Sequence, residues 1–491
     1  TINISGILPQ IYFNNTDDKL KIEEILSWGN IQWQSMENAF WGCINLNFDA
    51  IDAPDLSQVT SLQNMFRNCS SFNGILNNWN TSTITNISGM FADATIFNRP
   101  LDNWNVSAIT NMSETFYDAG NFNEPLDSWN TSSVTDMSNM FNEASSFNQN
   151  IDNWSVNQVT TMYRMFKNAS TYNSPLNSWN VANVTDMAEM FEDARDFNQP
   201  INDWNVSNVT NMTSMFSDAN DFNQPLDQWV VSNVTLMDNM FDEATVFNQP
   251  IGNWDVSNVT SMISMFERAR DFNQPINSWD VSNVTSMRSM FDGLFGSTAF
   301  NQPLDNWVTN NVTDMSAMFR RCSFNQSIGN WNVANVTNMS SMFNYAPNFN
   351  QPIENWTTTA LTNISSMFYN SPVFNQPLDN WDVSNVTNMT STFNSASVFN
   401  QNLGSWNVTS VTTMTNMLSN SNLTLENYDN TLISWSAQNV QNNVSLGATS
   451  LTYCDSLDER QNLIDNNNWN ITGDSVDCSY VICTTIISPI D

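Results

Sequence analysis

The sequence predicts an α/β solenoid of about 16 turns, each a short strand plus a short helix, closed by a cap at either end. Three observations lead there. One motif returns about every 25 residues, with its leading position held by Met36, Leu62, Ile87, Met112 and so on to Met414. Within each copy the apolar spacing changes once, from a helical to an extended pattern. The two ends, residues 1–34 and those after 420, do not follow the motif.

The helix is read from the first half of the unit. Met112, Thr115, Phe116 and Ala119 stand at i, i+3, i+4 and i+7, and Met212, Met215, Phe216 and Ala219 repeat the stripe. A Thr lies two residues before it, as at Thr110 and Thr210, in 15 successive units from Thr60 to Thr412. Its hydroxyl suits the N-cap of a helix, so the column is expected to cap. A helix this short needs its stacked neighbours for stability.

The strand follows as L-x-x-W-x-V, for example Leu101, Trp104 and Val106. This matches the strand signature of a leucine-rich repeat with Trp at the central position. Asn103 and Asn105 are then expected on the exposed face. Between helix and strand lies F-N-Q-P, as at Phe222, Asn223, Gln224 and Pro225. The Phe residues are expected to fill the back of each coil. The Asn residues are expected to form a ladder that satisfies backbone groups of the next turn.

The stretch FNQPLDNWDVSNVTNMTSTF, residues 374–393, resembles the repeat of the BspA-like leucine-rich-repeat surface proteins, including the mycoplasma lipoprotein-type repeat of about 25 residues. The resemblance covers nearly the whole chain. It implies a leucine-rich-repeat-like solenoid and an extracellular bacterial surface or secreted protein, often adhesive. It carries over no catalytic residue.

In order along the chain, residues 1–34 are the expected N-terminal cap, with a helix over 19–28. Residues 35–420 form the repeat solenoid, interrupted by an insertion at 291–298 and a shortening at 320–323. Both lapses fall on the loop after the helix, where a local bulge is tolerated. Residues 421–478 are an irregular last turn and the C-terminal cap, with a helix at 457–467. Residues 479–491 read as a strand or linker leading beyond Asp491, and the start at Thr1 fits a processed chain.

Composition narrows the function. A net charge of −35 argues against nucleic acid and anionic membrane surfaces as partners. No run of 18 apolar residues is present, so no membrane insertion is expected. The chain has no His, which rules out the usual zinc arrangements with that ligand. Cys43, Cys69 and Cys322 occupy the Ala position of the motif. Cys43 and Cys69, on adjacent turns, are one candidate disulfide, and Cys454 with Cys478 is another, stapling the cap.

Candidate sites are few. Asp102, Asp127 and Asp152 share a column on three consecutive turns. Such stacked carboxylates suit loosely bound calcium, although no loop carries the dense spacing of a dedicated site. No other cofactor is expected. A catalytic carboxylate pair needs two distinct environments, which a repeated column does not supply, so no enzyme is expected. The Thr column invites an ice-binding reading, but capping accounts for it and a second Thr column is missing. Asn208, Asn233, Asn258, Asn283, Asn311, Asn335 and Asn385 each precede V-T and are candidate glycosylation sites. The same residues fit a ladder between turns.

Together these readings point to a non-enzymatic extracellular adhesion or surface-structure protein. A long polar, acidic face would meet surface glycans or proteins by many weak contacts. The alternative is a fibre subunit, a homopolymer joined end to end through the β-rich termini TINISGILPQIYF and SYVICTTIISPID, with a coat of glycans if the sequons are used.

Overall fold

The computed structural model describes residues 8–479. They fall in two compact units, one ending at Asn283 and one beginning at Val284. Each unit is a stack of coils, one per repeat. In the first, parallel single-residue bridges link Ser61, Asn86, Asn111, Asp136, Thr161, Asp186, Asn211, Leu236 and Ser261 in succession. In the second, the same ladder runs Ser286, Asp314, Asn338, Asn363, Asn388 and Thr413.

The stretch expected to be a short helix is a run of tight turns. Over residues 112–119 the backbone N–H groups divide into two sets. Those of Met112, Glu114, Phe116 and Asp118 donate to Asp136, Ser138, Met140 and Asn142 of the following coil, at 2.8–3.0 Å. Those of Thr115, Tyr117 and Ala119 close turns onto Met112, Glu114 and Phe116. Glu114 and Asp118 take left-handed φ values of 55° and 48°, and equivalent pairs recur, such as Asn139 with Glu143 and Arg164 with Asn168. Each such non-Gly residue costs about 1–2 kcal/mol. A helix would have spent all its interior N–H groups within the coil. The turns leave every second one for the neighbour, which offsets the strain.

The inward residues match those the spacing singled out. Met112, Phe116, Ala119, Phe122, Leu126 and Ile109 are fully buried, and Trp129 is 3% exposed. Phe116 stacks on Phe91 and Phe141 at 5.6 Å, Phe122 on Phe97 at 5.8 Å and Trp129 on Trp104 at 6.5 Å. Three aromatic columns therefore run along the stack, each offset pair contributing about 0.5–1.5 kcal/mol beyond burial. The L-x-x-W segment turns at a corner, with Trp104 N donating to Leu101 O at 3.1 Å, so it is not a continuous strand.

The ends differ from the coils. Where a helix was expected over 19–28, a 3-10 helix spans Asp17–Lys21 and a strand β1 (Glu24–Ile25) pairs in parallel with β2 (Asn47–Phe48). Pairing with the next coil prevails over the local helical spacing. At the C-terminus, α1 (Leu425–Ser436) takes over the place of a coil segment: Trp435 Nε1 donates to Leu403 O and Asn427 Nδ2 to Asn400 O. Its N-cap Thr424 accepts from Asn427 N. The chain continues through β3 (Ser445–Gly447), β4 (Thr452–Tyr453), α2 (Leu457–Asn467), β5 (Asn470–Thr472) and β6 (Ser475–Val476), with β3 beside β5 and β4 beside β6. Buried Asp429 on α1 accepts from the N–H groups of Cys454, Asp455 and Ser456, tying helix to cap.

Candidate binding surfaces

The exposed face of the L-x-x-W segment carries the polar columns, and coil-to-coil hydrogen bonds hold them. Each Trp indole N–H reaches back one coil, Trp104 to Leu76 O at 2.9 Å and Trp204 to Leu176 O at 3.0 Å. Outside them, Asp102, Asp127, Asn103 and Asn105 are exposed and Asp152 half-buried. Asn77 Nδ2 donates to Asp102 at 2.7 Å, Asn153 Nδ2 to Asp127 O at 2.6 Å, and Ser178 N and Oγ to the Asp152 carboxylate at 2.8 Å. The column thus stands on consecutive coils, with amide and hydroxyl donors from neighbouring coils on the Asp102 and Asp152 carboxylates and on the Asp127 carbonyl. Among the described residues no group of three or more His, Cys, Asp or Glu is gathered closely enough to hold a metal ion.

The Thr column has a different job from the one expected. Thr110 N donates to Thr85 O at 2.8 Å and its Oγ1 to the same carbonyl at 3.3 Å. Thr210 does likewise to Thr185 O, at 2.9 and 3.2 Å. With no helix to cap, the hydroxyl fastens each coil to the one before it. The F-N-Q-P asparagines are a ladder, as read from the sequence: Asn223 N donates to Asn198 Oδ1 at 3.1 Å, and Gln224 Nε2 to the same oxygen at 2.9 Å.

All seven sequon asparagines are exposed. Asn208, Asn233, Asn258 and Asn283 donate through Nδ2 to Ala182, Ser207, Ser232 and Ser257 O at 2.7–2.8 Å. Asn335 and Asn385 do the same to Asn310 and Thr359 O at 2.8 Å. A sugar on every coil would crowd its neighbours at the roughly 4.8 Å spacing of adjacent extended chains.

Cys454 and Cys478 are disulfide-bonded, with Cα atoms 5.1 Å apart. Cys43 and Cys69 are not joined: both are buried free thiols, and Cys69 Sγ donates to Phe40 O at 3.0 Å. Burial pushes the Cys43 thiol up to about 12. Cys322 is likewise free and buried.

Charge gathers on the turn run. Glu189 accepts from Arg164 at 2.7 and 2.9 Å and from Lys167 at 2.6 Å, while Lys167 also meets Glu192 at 3.0 Å. Burial raises Glu192 to about 7, and the hydrogen bond it shares with Glu189 adds to the rise. In the second unit, the Asp292 carboxylate is wholly buried and paired with Arg320. The insertion beside it forms a loop whose Phe295 is 85% exposed, and Thr298 bridges to Cys322 as the coil resumes.

One feature escaped the sequence reading. A surface cavity of about 280 Å³ opens among Glu354, Thr357, Thr359, Asn380 and Asp382. The signal was present, because this coil reads IENWTTTA where its neighbour reads LDNWDVSN.

A periodic stack with a charged turn run and a polar corner defines a coil-repeat protein. Five overlapping stretches, residues 34–150, 121–229, 216–323, 293–390 and 353–457, match the family described as Mycoplasma protein of unknown function, DUF285, and the chain belongs to that family. No curated protein matches the chain.

Proposed function

We propose that the chain is a non-enzymatic extracellular adhesion or surface-structure protein that presents its polar, acidic columns to surface glycans or proteins. The observation that carries this reading is the axial hydrogen bonding of that face. Asn202 Nδ2 to Asp227 at 2.9 Å and Asn330 Nδ2 to Asp305 O at 2.6 Å hold side chains that would otherwise be free. Ordered in advance, such groups lose less entropy on contact, and repetition along the stack supplies avidity. The Cys454–Cys478 bond supports an oxidising, extracellular setting.

The test is binding of the full chain to glycans and proteins printed densely and sparsely. Retention that grows steeply with ligand density is the expected result, and uniform failure to bind at any density removes the reading. A fibre subunit is the second reading. It is favoured by Leu26, Ile51 and Ile75, large apolar side chains exposed on the first coils.

A further inference from the structure

We propose that two copies of the chain join knob to socket. Phe295 of one copy enters a pocket of the other lined by Leu20, Ile44, Asp93 and Asp118, and Arg321 beside the knob meets the two carboxylates. The contact stands apart from the adhesion reading and does not involve residues 479–491.

The knob is a fixed loop in the second unit. Leu294 N donates to Asp292 Oδ1 at 2.8 Å, and Gly296 N to Gly293 O at 2.8 Å. Thr298 N donates to Arg321 O at 3.2 Å, and its Oγ1 to Phe291 O at 2.9 Å. Both stems are therefore tied, and Leu294 is held at a left-handed φ of 39°. Between these ties Phe295 is 85% exposed, the most exposed aromatic ring among the described residues. A ring presented on an ordered loop loses little entropy when a partner buries it, and aromatic side chains are enriched at the centres of interfaces. Gly293 lies so close to Arg321 that a Cβ there would fall 2.7 Å from its carbonyl oxygen. The Arg321 guanidinium lies over the Tyr345 ring, 4.4 Å from its centre, and no carboxylate pairs with it among the described residues.

The socket is a pocket of about 600 Å³ in the first unit. Leu20 and Ile44 bring apolar surface to it, 49% and 43% exposed. Gly42, with φ 81°, leaves the space beside them open, because a side chain there would collide with Asn15 Oδ1. Lys19 Nζ is already engaged, donating to Asn15 O at 2.9 Å. Asp93 meets Arg67 only at 3.9 Å, and Asp118 has no cationic partner among the described residues. Burial raises both carboxyls, and the charge of Glu143 raises them further, so an incoming guanidinium is favoured there.

Arg321 occupies the position in its coil that Asp93 and Asp118 hold in theirs, with the sign reversed. One chain thus carries an apolar knob beside a cation and an apolar pocket beside carboxylates. That complementarity fits a heterologous contact between like copies. At about 0.15 M salt the screening length is about 8 Å, so the net charge of −35 opposes approach weakly while groups in contact still attract.

The experiment is sedimentation of the full chain over a range of concentrations at about 0.15 M salt. Phe295→Ser and Arg321→Glu alter the knob, Ile44→Lys alters the socket, and Ile51→Ser, exposed outside the pocket, is the control. Thermal melts report whether each variant is folded. The native chain is expected to associate as concentration rises, and Phe295→Ser and Ile44→Lys each to weaken association about tenfold or more. Ile51→Ser and a chain lacking 479–491 should associate as the native chain does. Equimolar Phe295→Ser and Ile44→Lys should form dimers and nothing larger, because one intact knob and one intact socket remain. A native chain that stays monomeric overturns the proposal, as does association that persists in both Phe295→Ser and Arg321→Glu, or a mixture without dimers. Association lost on truncation but kept in Phe295→Ser overturns it in favour of joining through the terminus. None of these outcomes bears on the printed-ligand assay, which decides adhesion on its own.

Discussion

At Trp204 one side chain does two jobs. Its ring stacks on Trp179 at 6.3 Å, and its indole N–H is paired with Leu176 O at 3.0 Å. Trp204→Ala is expected to cost about 3–5 kcal/mol, because it opens a cavity and orphans a carbonyl. Coils in such stacks depend on nearest neighbours, so limited proteolysis should cut close to residue 204. Cleavage spread evenly along the chain would contradict that. Thr210 is exposed, and its hydroxyl bond to Thr185 O is one of two to that carbonyl. Thr210→Val is therefore expected to lose only about 0.5–1 kcal/mol in denaturant titration, and Thr210→Ser almost nothing. A large loss in Thr210→Ser would show that the methyl group, not the hydroxyl, holds the column.

At the scale of elements, the C-terminal cap and the turn run respond to different conditions. The Cys454–Cys478 bond closes a separation of 24 residues around α2. Cys454→Ser with Cys478→Ser is expected to lower the stability of the cap by about 3 kcal/mol, read as earlier hydrogen exchange in α1 and α2. Unchanged exchange would make the bond incidental. On the turn run, Glu192 is raised from 4.5 to about 7, first by burial and then by its hydrogen bond with Glu189. The folded chain then holds a proton that the unfolded chain has released, so this group makes stability fall as pH rises from 4.5 to about 7. Glu192→Gln keeps the neutral form and should flatten the melting temperature across that window. Glu189 has the opposite sign: Arg164 and Lys167 overcome its burial and lower it to about 2, so its contribution is lost only in stronger acid.

For the molecule as a whole, the net charge of −35 should resist lateral association at low salt. Joining end to end would instead rest on backbone hydrogen bonds and apolar contacts, and should survive a chelator. Of the β-rich ends invoked for it, residues 1–13 and 479–491, residues 1–7 and 480–491 lie outside the described residues, and over 8–13 only Gln10 makes a bridge, to Ser35. Light scattering and negative-stain microscopy, with and without chelator, compare the full chain with one lacking 479–491. Fibres that persist in chelator and vanish on truncation support the subunit reading. Single particles under every condition remove it and leave adhesion.

The repeat, its inward residues and the Asn ladder were legible in the sequence, because burial imposes a period that survives any choice of backbone. Phe222, Trp229 and Val234 are buried in one coil as their equivalents are in the next. The α2 helix was legible for the same local reason, since its length and pattern suffice by themselves. The short helix of each coil was not. Met112, Thr115, Phe116 and Ala119 keep one face inward in a run of left-handed and right-handed turns as well as in a helix. Hydrogen bonds to residues about 24 positions away chose between them, and spacing within one coil does not encode those partners. The same holds for the Thr hydroxyls, whose acceptor lies one coil back. The Glu354 cavity arises where two coils with different side chains meet, so only stacking brings its walls together.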